Sequence, residues 1–260
     1  MMSTATLDTR EHTDPPPVQL VRGTVPNGGG GWAMNALSVY NQDFKVTDYP
    51  DSAAPPLARL VQLLNDEAAD ASGVLSEADS DAVLVLAAAT HGTGAADEAV
   101  VYAWLAELLI NDQWGLTASI DAGDRRVRRL CRALAGCLRT RARGGTVSPL
   151  RLMRIERLSY NLIGVPESIK EVVGNARLVV RSEIGWAAVF AAENAATEAR
   201  KSSRVEPHRY TQLAISAWRE LAGPTLCAPP SLHDLRAAAA WLNARSGRRF
   251  WGVRGVQNRA

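Results

Sequence analysis

Residues 124–145, DRRVRRLCRALAGCLRTRARGG, contain eight arginines and no acidic residue after Asp124. On a helical wheel with about 100° between residues, six of the arginines lie on one side, namely Arg125, Arg128, Arg129, Arg132, Arg139 and Arg143. The opposite side is apolar and consists of Val127, Leu130, Cys131, Leu134, Cys137 and Leu138. This pattern predicts an amphipathic helix that buries the apolar side and presents the six guanidinium groups, here called the arginine stripe, on the other.

The rest of the chain has the same helical character. Apolar residues of 57–64 recur on one helical face, and Ser148 followed by Pro149 is typical of a helix N-terminus. No segment alternates convincingly between apolar and polar residues, as a strand would. We therefore predict an all-α fold with a helical core over residues 56–246, in which a soft boundary near 141–149 indicates two lobes. Four tryptophans fall on apolar helical faces and are expected to anchor this core: Trp104, Trp186, Trp218 and Trp241.

The two ends of the chain are predicted to lie outside the core. A proline cluster and a run of four glycines at 28–31 disfavour packed structure, so residues 1–55 are expected to form a flexible or extended N-terminal arm. Residues 247–260 form a basic tail without a helical pattern. Arginines beside an aromatic residue suit single-stranded nucleic acid, because bases stack while phosphates pair; the candidates are Arg248, Arg249, Trp251 and Arg254. The alternative is a basic terminus whose aromatic pair packs on the core.

Charge is distributed unevenly along the chain, although the net charge is only +2. Residues 1–124 carry 4 basic and 18 acidic side chains, whereas residues 125–157 carry 11 arginines and a single acid. This asymmetry indicates a polyanionic partner, self-association between unlike surfaces, or both. For the arginine stripe three alternatives stay open: contact with phosphates, pairing with the acidic half of this chain or of a neighbouring subunit, and a solvated face.

The sequence contains no motif for catalysis, cofactor binding or metal binding. P-loop, GxGxxG and EF-hand patterns are missing, and the four histidines lack the spacing of metal ligands. The THGTG segment at 90–94 is expected to be a turn after a helix, not an oxyanion loop. We therefore expect no enzyme activity, no cofactor and no metal site. No run of about 18 apolar residues predicts a membrane span, and the N-terminus lacks the apolar segment of a secretory signal. An intracellular protein with free cysteines and no membrane partner is expected.

The arm, helical core, arginine stripe and basic tail together form a layout that resembles the viral coat and nucleocapsid proteins of flexuous filaments on RNA. Since 71 of the 260 residues are proline, alanine or serine, the composition also resembles the proline-, alanine- and serine-rich genome-associated proteins of some fungal RNA viruses. The resemblance implies a structural protein that self-assembles through its arm and its unlike surfaces. It would bind RNA in preference to DNA, tolerate many sequences, and reside in the cytoplasm or a virion. Two other classes stay open: a helical DNA-binding regulator or adaptor from a GC-rich bacterium, and an α-helical enzyme.

Overall fold

The structure is a computed structural model that describes residues 17–23, 31–121, 124–160, 162–181, 183–224 and 226–253, with backbone alone for 246–253. The helices, in chain order, are α1 (Ala33–Tyr40), α2 (Pro55–Ala68), α3 (Glu77–Thr90), α4 (Glu98–Ile110), α5 (Leu116–Ser119), α6 (Arg125–Ala142), α7 (Pro149–Ser159), α8 (Glu167–Val180), α9 (Gly185–Ser202), α10 (Pro207–Ala222) and α11 (Leu232–Val253). Within these ranges there is no β-strand, only isolated bridges between Val21 and Val74 and between Ala53 and His91. The all-α prediction is confirmed. None of the helices in the described ranges is long and apolar enough to cross a membrane.

Helix α4 lies at the centre of the helical packing. It packs against α6, α9 and α10, and its residues Trp104, Leu105 and Leu108 are fully buried. The Trp104 indole Nε1 donates a hydrogen bond to the carbonyl of Ala214 in α10 (2.8 Å), and its ring meets Trp218 with 5.3 Å between the centroids. Because a buried indole N–H without a partner is costly, this hydrogen bond helps to fix α10 against α4.

Two of the four tryptophans predicted to anchor the core lie at the surface instead. Trp186 and Trp241 are 57% and 46% exposed. Trp186 stands in the first turn of α9, where its ring contacts Tyr49 with 5.1 Å between the centroids. Trp241 lies under the guanidinium carbon of Arg245, which is 4.9 Å from the ring centroid. The core prediction is wrong for these two residues, because the contacts of each leave about half of the side chain exposed.

Much of the predicted N-terminal arm belongs to the core. Helix α1 is buried over most of its length, with Met34 and Leu37 fully inaccessible, and packs against α11 and α3. The predicted arm is therefore corrected over α1, residues 33–40. A helix that is buried on nearly all sides shows no apolar–polar periodicity, so its sequence gives a weak helical signal.

An extended segment before α1 also packs on the core. Val18 and Leu20 are buried, and the Leu20 carbonyl accepts a hydrogen bond from the Leu75 N–H (2.9 Å). Two other parts of the predicted arm, 1–16 and 24–30, lie outside the described residues.

The predicted basic tail begins inside a helix. Helix α11 continues to Val253, so residues 247–253 are helical and the prediction of a tail without helix is corrected there. The alanines that precede this segment are strong helix formers, and Gly247 and Gly252 each cost only about 1 kcal/mol within a helix. Residues 254–260 lie outside the described residues.

The hydrophobic core continues across residues 141–149, where a boundary between two lobes was expected. Leu138, Val147 and Ile155 are buried and belong to the same core cluster as the residues of α4. In addition, the Arg141 Nε donates a hydrogen bond to the Val180 carbonyl of α8 (3.1 Å). These contacts bind the C-terminal end of α6 and the following segment to the rest of the core.

Candidate nucleic-acid interface

Helix α6 carries the arginine stripe, and its buried face orients it. The six apolar residues predicted to lie inside are each at most 3% exposed, which confirms that part of the prediction. The Asp124 carboxylate caps the helix by accepting a hydrogen bond from the Val127 N–H (3.1 Å). Because the apolar side packs against α4 and α8, the arginine side faces outward.

Most arginines of the stripe are exposed, namely Arg125, Arg129, Arg132, Arg139 and Arg143. Arg128 is half-buried instead, because its Nη2 donates a hydrogen bond to the Ile120 carbonyl (2.8 Å) in the segment before α6. The Arg128 side chain ties the first turn of α6 to that segment, which leaves it less available to an external anion.

The acidic half of the chain neutralises only part of the stripe. Arg139 forms an ion pair with Glu107 of α4, with 2.9 Å between Nη2 and Oε1. The two side chains are 48% and 29% exposed, and a pair this accessible to solvent contributes little to stability. Four exposed members of the stripe have no acidic partner among the residues that the structure describes: Arg125, Arg129, Arg132 and Arg143.

A basic groove of about 460 Å³ lies between α6 and α7. Arg129 and Arg132 contribute from α6, and Arg151 and Arg154 contribute from α7. The remaining lining residues are uncharged: Ala133, Gly136, Cys137 and Ile155. Within the described part of the chain, no acid lines the groove. This set of residues is called the arginine groove below.

Four guanidinium groups that share one groove repel one another. An anion that enters between them removes this repulsion and gains charge-assisted hydrogen bonds. The planar donors of arginine match the oxygens of phosphate in pairs, which a lysine ammonium does not do. The groove is therefore suited chemically to phosphate groups.

The thiol beside the arginine groove is suited to packing and not to chemistry. Burial raises the pKa of Cys137, and the charge of Arg151 opposes this by a smaller amount. Burial also raises the pKa of Cys131, one helical turn and a half earlier, to about 12. Both groups are neutral thiols at pH 7, whereas nucleophiles and metal ligands require the thiolate.

Arg151 and Arg154 were not among the sequence candidates. They stand three positions apart in α7, so a helical wheel of 149–159 would have placed them on one side. Their position opposite α6 depends on the short connection at 143–148, which makes the two helices neighbours. A wheel of each helix combined with this loop length could have indicated the arginine groove.

The candidates of the basic tail lie in a different part of the fold. Arg248, Arg249 and Trp251 belong to α11, where only the backbone is described, and Arg254 lies outside the described residues. Helix α11 packs against α1 and α3, whereas α6 packs against α4, α5, α7 and α8. Among these contacts, no helix packs against both α11, which carries the tail residues, and α6, which carries the arginine stripe.

A second cavity, of about 360 Å³, lies beside the 90–94 segment. His91, Cys227, Asp51 and Asp97 are among its lining residues. Burial lowers the pKa of His91, and the charge of Arg219 lowers it further, so the imidazole is neutral at pH 7. No group of His, Cys, Asp or Glu in the described ranges could hold a metal ion. The segment forms a helix end followed by a 3-10 turn over Thr93–Ala95, as predicted.

Comparison with known proteins gives no match of this chain to a family model, a curated protein or a solved structure.

Proposed function

We propose that this protein is a structural nucleic-acid-binding protein that self-assembles and coats or packages a genome. The observation that carries the proposal is the arginine groove, which gathers four guanidinium groups from two helices without a lining acid. The acidic half of the chain leaves these groups available, since its described ion pair with the stripe is at Arg139.

A long polyanion fits this surface better than a small anion. The arginine stripe follows an 18-residue helix, which spans roughly 27 Å at about 1.5 Å per residue. A phosphate backbone can meet successive guanidinium groups over that length, whereas one small anion uses only two or three of them. Contacts to phosphates position a nucleic acid without reading its bases, so the expected binding tolerates many sequences.

The salt dependence of RNA binding tests the proposal. The variant Arg129→Ala/Arg132→Ala/Arg154→Ala removes three cations from the arginine groove, and fluorescence anisotropy with a labelled single-stranded RNA measures affinity from low to high salt. Each phosphate contact to a single strand contributes about −0.7 to the slope of log affinity against log salt. The triple variant should therefore reduce the magnitude of the slope by about 2.

A matched variant controls for net charge. Lys170→Ala/Lys201→Ala/Arg209→Ala removes three cations from α8, α9 and α10, and it should retain nearly the wild-type slope. Equal slopes for the wild type and the groove variant would contradict the proposal, as would equal losses in the two triple variants. Strong preference for one duplex DNA sequence would favour a DNA-binding regulator instead.

A further inference from the structure

Exposed apolar side chains of the described residues form two main groups. The first, here called the α7 surface, consists of Leu150, Met153, Tyr160 and Ile163, which are 62–84% exposed. The second, here called the aromatic surface, consists of the exposed Phe44, Val46, Trp186 and Phe190 together with the half-buried Tyr49. Monomeric proteins rarely expose contiguous apolar patches beyond a few hundred Å², and larger ones commonly mark interaction sites.

The α7 surface is apolar and positively charged. Helix α7 has one fully buried residue, Ile155, which packs on the core with the half-buried Leu152 and Leu158, and Leu150 and Met153 are exposed. Arg157 is exposed between them on the helical wheel. The one acid of this helix, Glu156, is paired with Arg181, so no unpaired acid of α7 offsets its arginines.

Trp186 joins Tyr49 and Phe190 in the aromatic surface, and this surface is negatively charged. The rings of Tyr49 and Trp186 are 5.1 Å apart, and those of Trp186 and Phe190 are 6.3 Å apart. Phe44 is fully exposed in the loop that leads to Tyr49. Against the single cation Lys45, this loop and the segment before α9 contribute three acids, none of which has an ion pair with a described residue: Asp43, Asp48 and Glu183.

We propose that the α7 surface of one copy docks against the aromatic surface of a second copy of this chain. Apolar side chains would meet apolar side chains, and the exposed Arg157 of α7, which does not line the arginine groove, would meet the carboxylates beside the aromatic rings. Aromatic residues and arginine are enriched where interfaces gain most of their binding energy. An anionic membrane or a nucleic acid would account for the α7 surface alone, whereas a second copy of the chain accounts for the α7 surface and the aromatic surface.

The contact joins two different surfaces and is therefore heterologous. Each copy that binds leaves one α7 surface and one aromatic surface open, so association continues until a ring closes or a filament grows. This inference rests on the proposed function, because it names the contact through which a coat would assemble. It nevertheless makes no use of the arginine groove, so the two can fail separately.

Two neutral double variants test the contact. Leu150→Ser/Met153→Ser removes apolar area from the α7 surface, and Phe44→Ser/Trp186→Ser removes it from the aromatic surface, with no change in charge. Val85→Ser/Leu221→Ser is the matched control, because these residues are 50% and 41% exposed outside both surfaces. Each protein is freed of nucleic acid by nuclease and high salt, and its size is measured by sedimentation velocity over a range of concentrations.

The wild type and the control should form larger species as concentration rises. Each surface variant should need at least about tenfold more protein to assemble, which corresponds to about 1.4 kcal/mol. An equimolar mixture of the two surface variants should form a complex of two chains and nothing larger, because only one pair of intact surfaces is present.

Several outcomes would overturn the inference: a wild type that stays monomeric, surface variants that assemble like the wild type, or a mixture that stays monomeric. Loss of assembly in only one of the two surface variants would do the same. Binding of monomeric wild type to phosphatidylserine vesicles, lost in Leu150→Ser/Met153→Ser, would assign the α7 surface to a membrane instead.

Binding to an RNA oligonucleotide that accommodates one copy separates this inference from the proposed function. Both surface variants should bind it with wild-type affinity. Intact assembly without RNA binding would refute the proposed function and support this contact. RNA binding by a chain that never assembles would refute the contact.

Discussion

Helix α7 forms one side of the arginine groove, and Ile155 is the residue that holds it there. Ile155 is 1% exposed and is the single buried residue of α7, while Leu152 and Leu158 are half-buried. Truncation of a buried isoleucine to alanine costs about 2–5 kcal/mol. An isolated helix of this length is marginal in water, so α7 depends on its packing against the core, in which Ile155 is its most deeply buried residue. Ile155→Ala should therefore open α7 locally while the core around α4 stays folded.

Amide hydrogen exchange measures this opening directly. A loss of about 3 kcal/mol corresponds to more than about a hundredfold faster exchange, since about 1.4 kcal/mol equals tenfold. Amides of α7 should accelerate by this factor in Ile155→Ala, and those of α4 should not change. Ile155→Val costs about 0.5–1.5 kcal/mol and should accelerate α7 by roughly tenfold or less.

The same variant has a consequence for RNA binding. Arg151 and Arg154 leave the groove when α7 detaches, so the magnitude of the salt slope should fall by up to about 1.4, in proportion to the fraction of molecules in which α7 is open. Wild-type exchange rates for α7 in Ile155→Ala would refute this account of its attachment. Equal acceleration of α4 and α7 would also refute it, because the helix would then unfold only together with the core.

Three further predictions concern the core and its titratable groups. The pKa of His91 is lowered by burial and by Arg219, so the unfolded chain binds a proton at this imidazole first as pH falls below about 6.5. The free energy of unfolding should therefore decrease between pH 7 and 5, and urea titrations should show a smaller decrease for His91→Gln. An identical pH dependence in the variant would show that His91 does not cause the decrease. Native protein treated with a thiol reagent at pH 8 should label Cys227, which is exposed, and spare Cys131 and Cys137; rapid labelling of all three would contradict their burial. Trp104→Phe removes the hydrogen bond to the Ala214 carbonyl and should cost about 1–3 kcal/mol in urea unfolding, while a loss below about 0.5 kcal/mol would show that this bond is not important.

Periodicity in the sequence predicted those elements that have one buried and one exposed side. In α6 the residues from Val127 to Leu138 recur at helical spacing, so the helix and its roll about its axis both followed from the sequence. Periodicity did not predict helix α1, because polar residues of this helix are buried as well as apolar ones. Its Asn35 donates a hydrogen bond to Asp48 (2.8 Å), and its Ser38 donates one to Asp43 (2.8 Å). These partners lie 13 and 5 positions away in the chain, and no local pattern reveals them.

The sequence analysis identified the candidate site on one helix and missed its second helix. The uneven distribution of charge along the chain indicated the arginine stripe. A helical wheel of α6 does not show that Arg128 is half-buried, and it does not show that Arg151 and Arg154 lie opposite the stripe. Both depend on where the segment around Ile120 and helix α7 pack. The surface position of Trp186 also depends on tertiary packing, because its ring contacts Tyr49, which is distant in the sequence.

Purification of the wild-type protein without nuclease tests the central claim most directly. The ratio of absorbance at 260 nm and 280 nm reports bound nucleic acid, and negative-stain images report assembly. The account predicts co-purified nucleic acid within filaments or closed particles, and loss of that nucleic acid in Arg129→Ala/Arg132→Ala/Arg154→Ala. A wild-type protein that purifies at low salt as a monomer free of nucleic acid would contradict it.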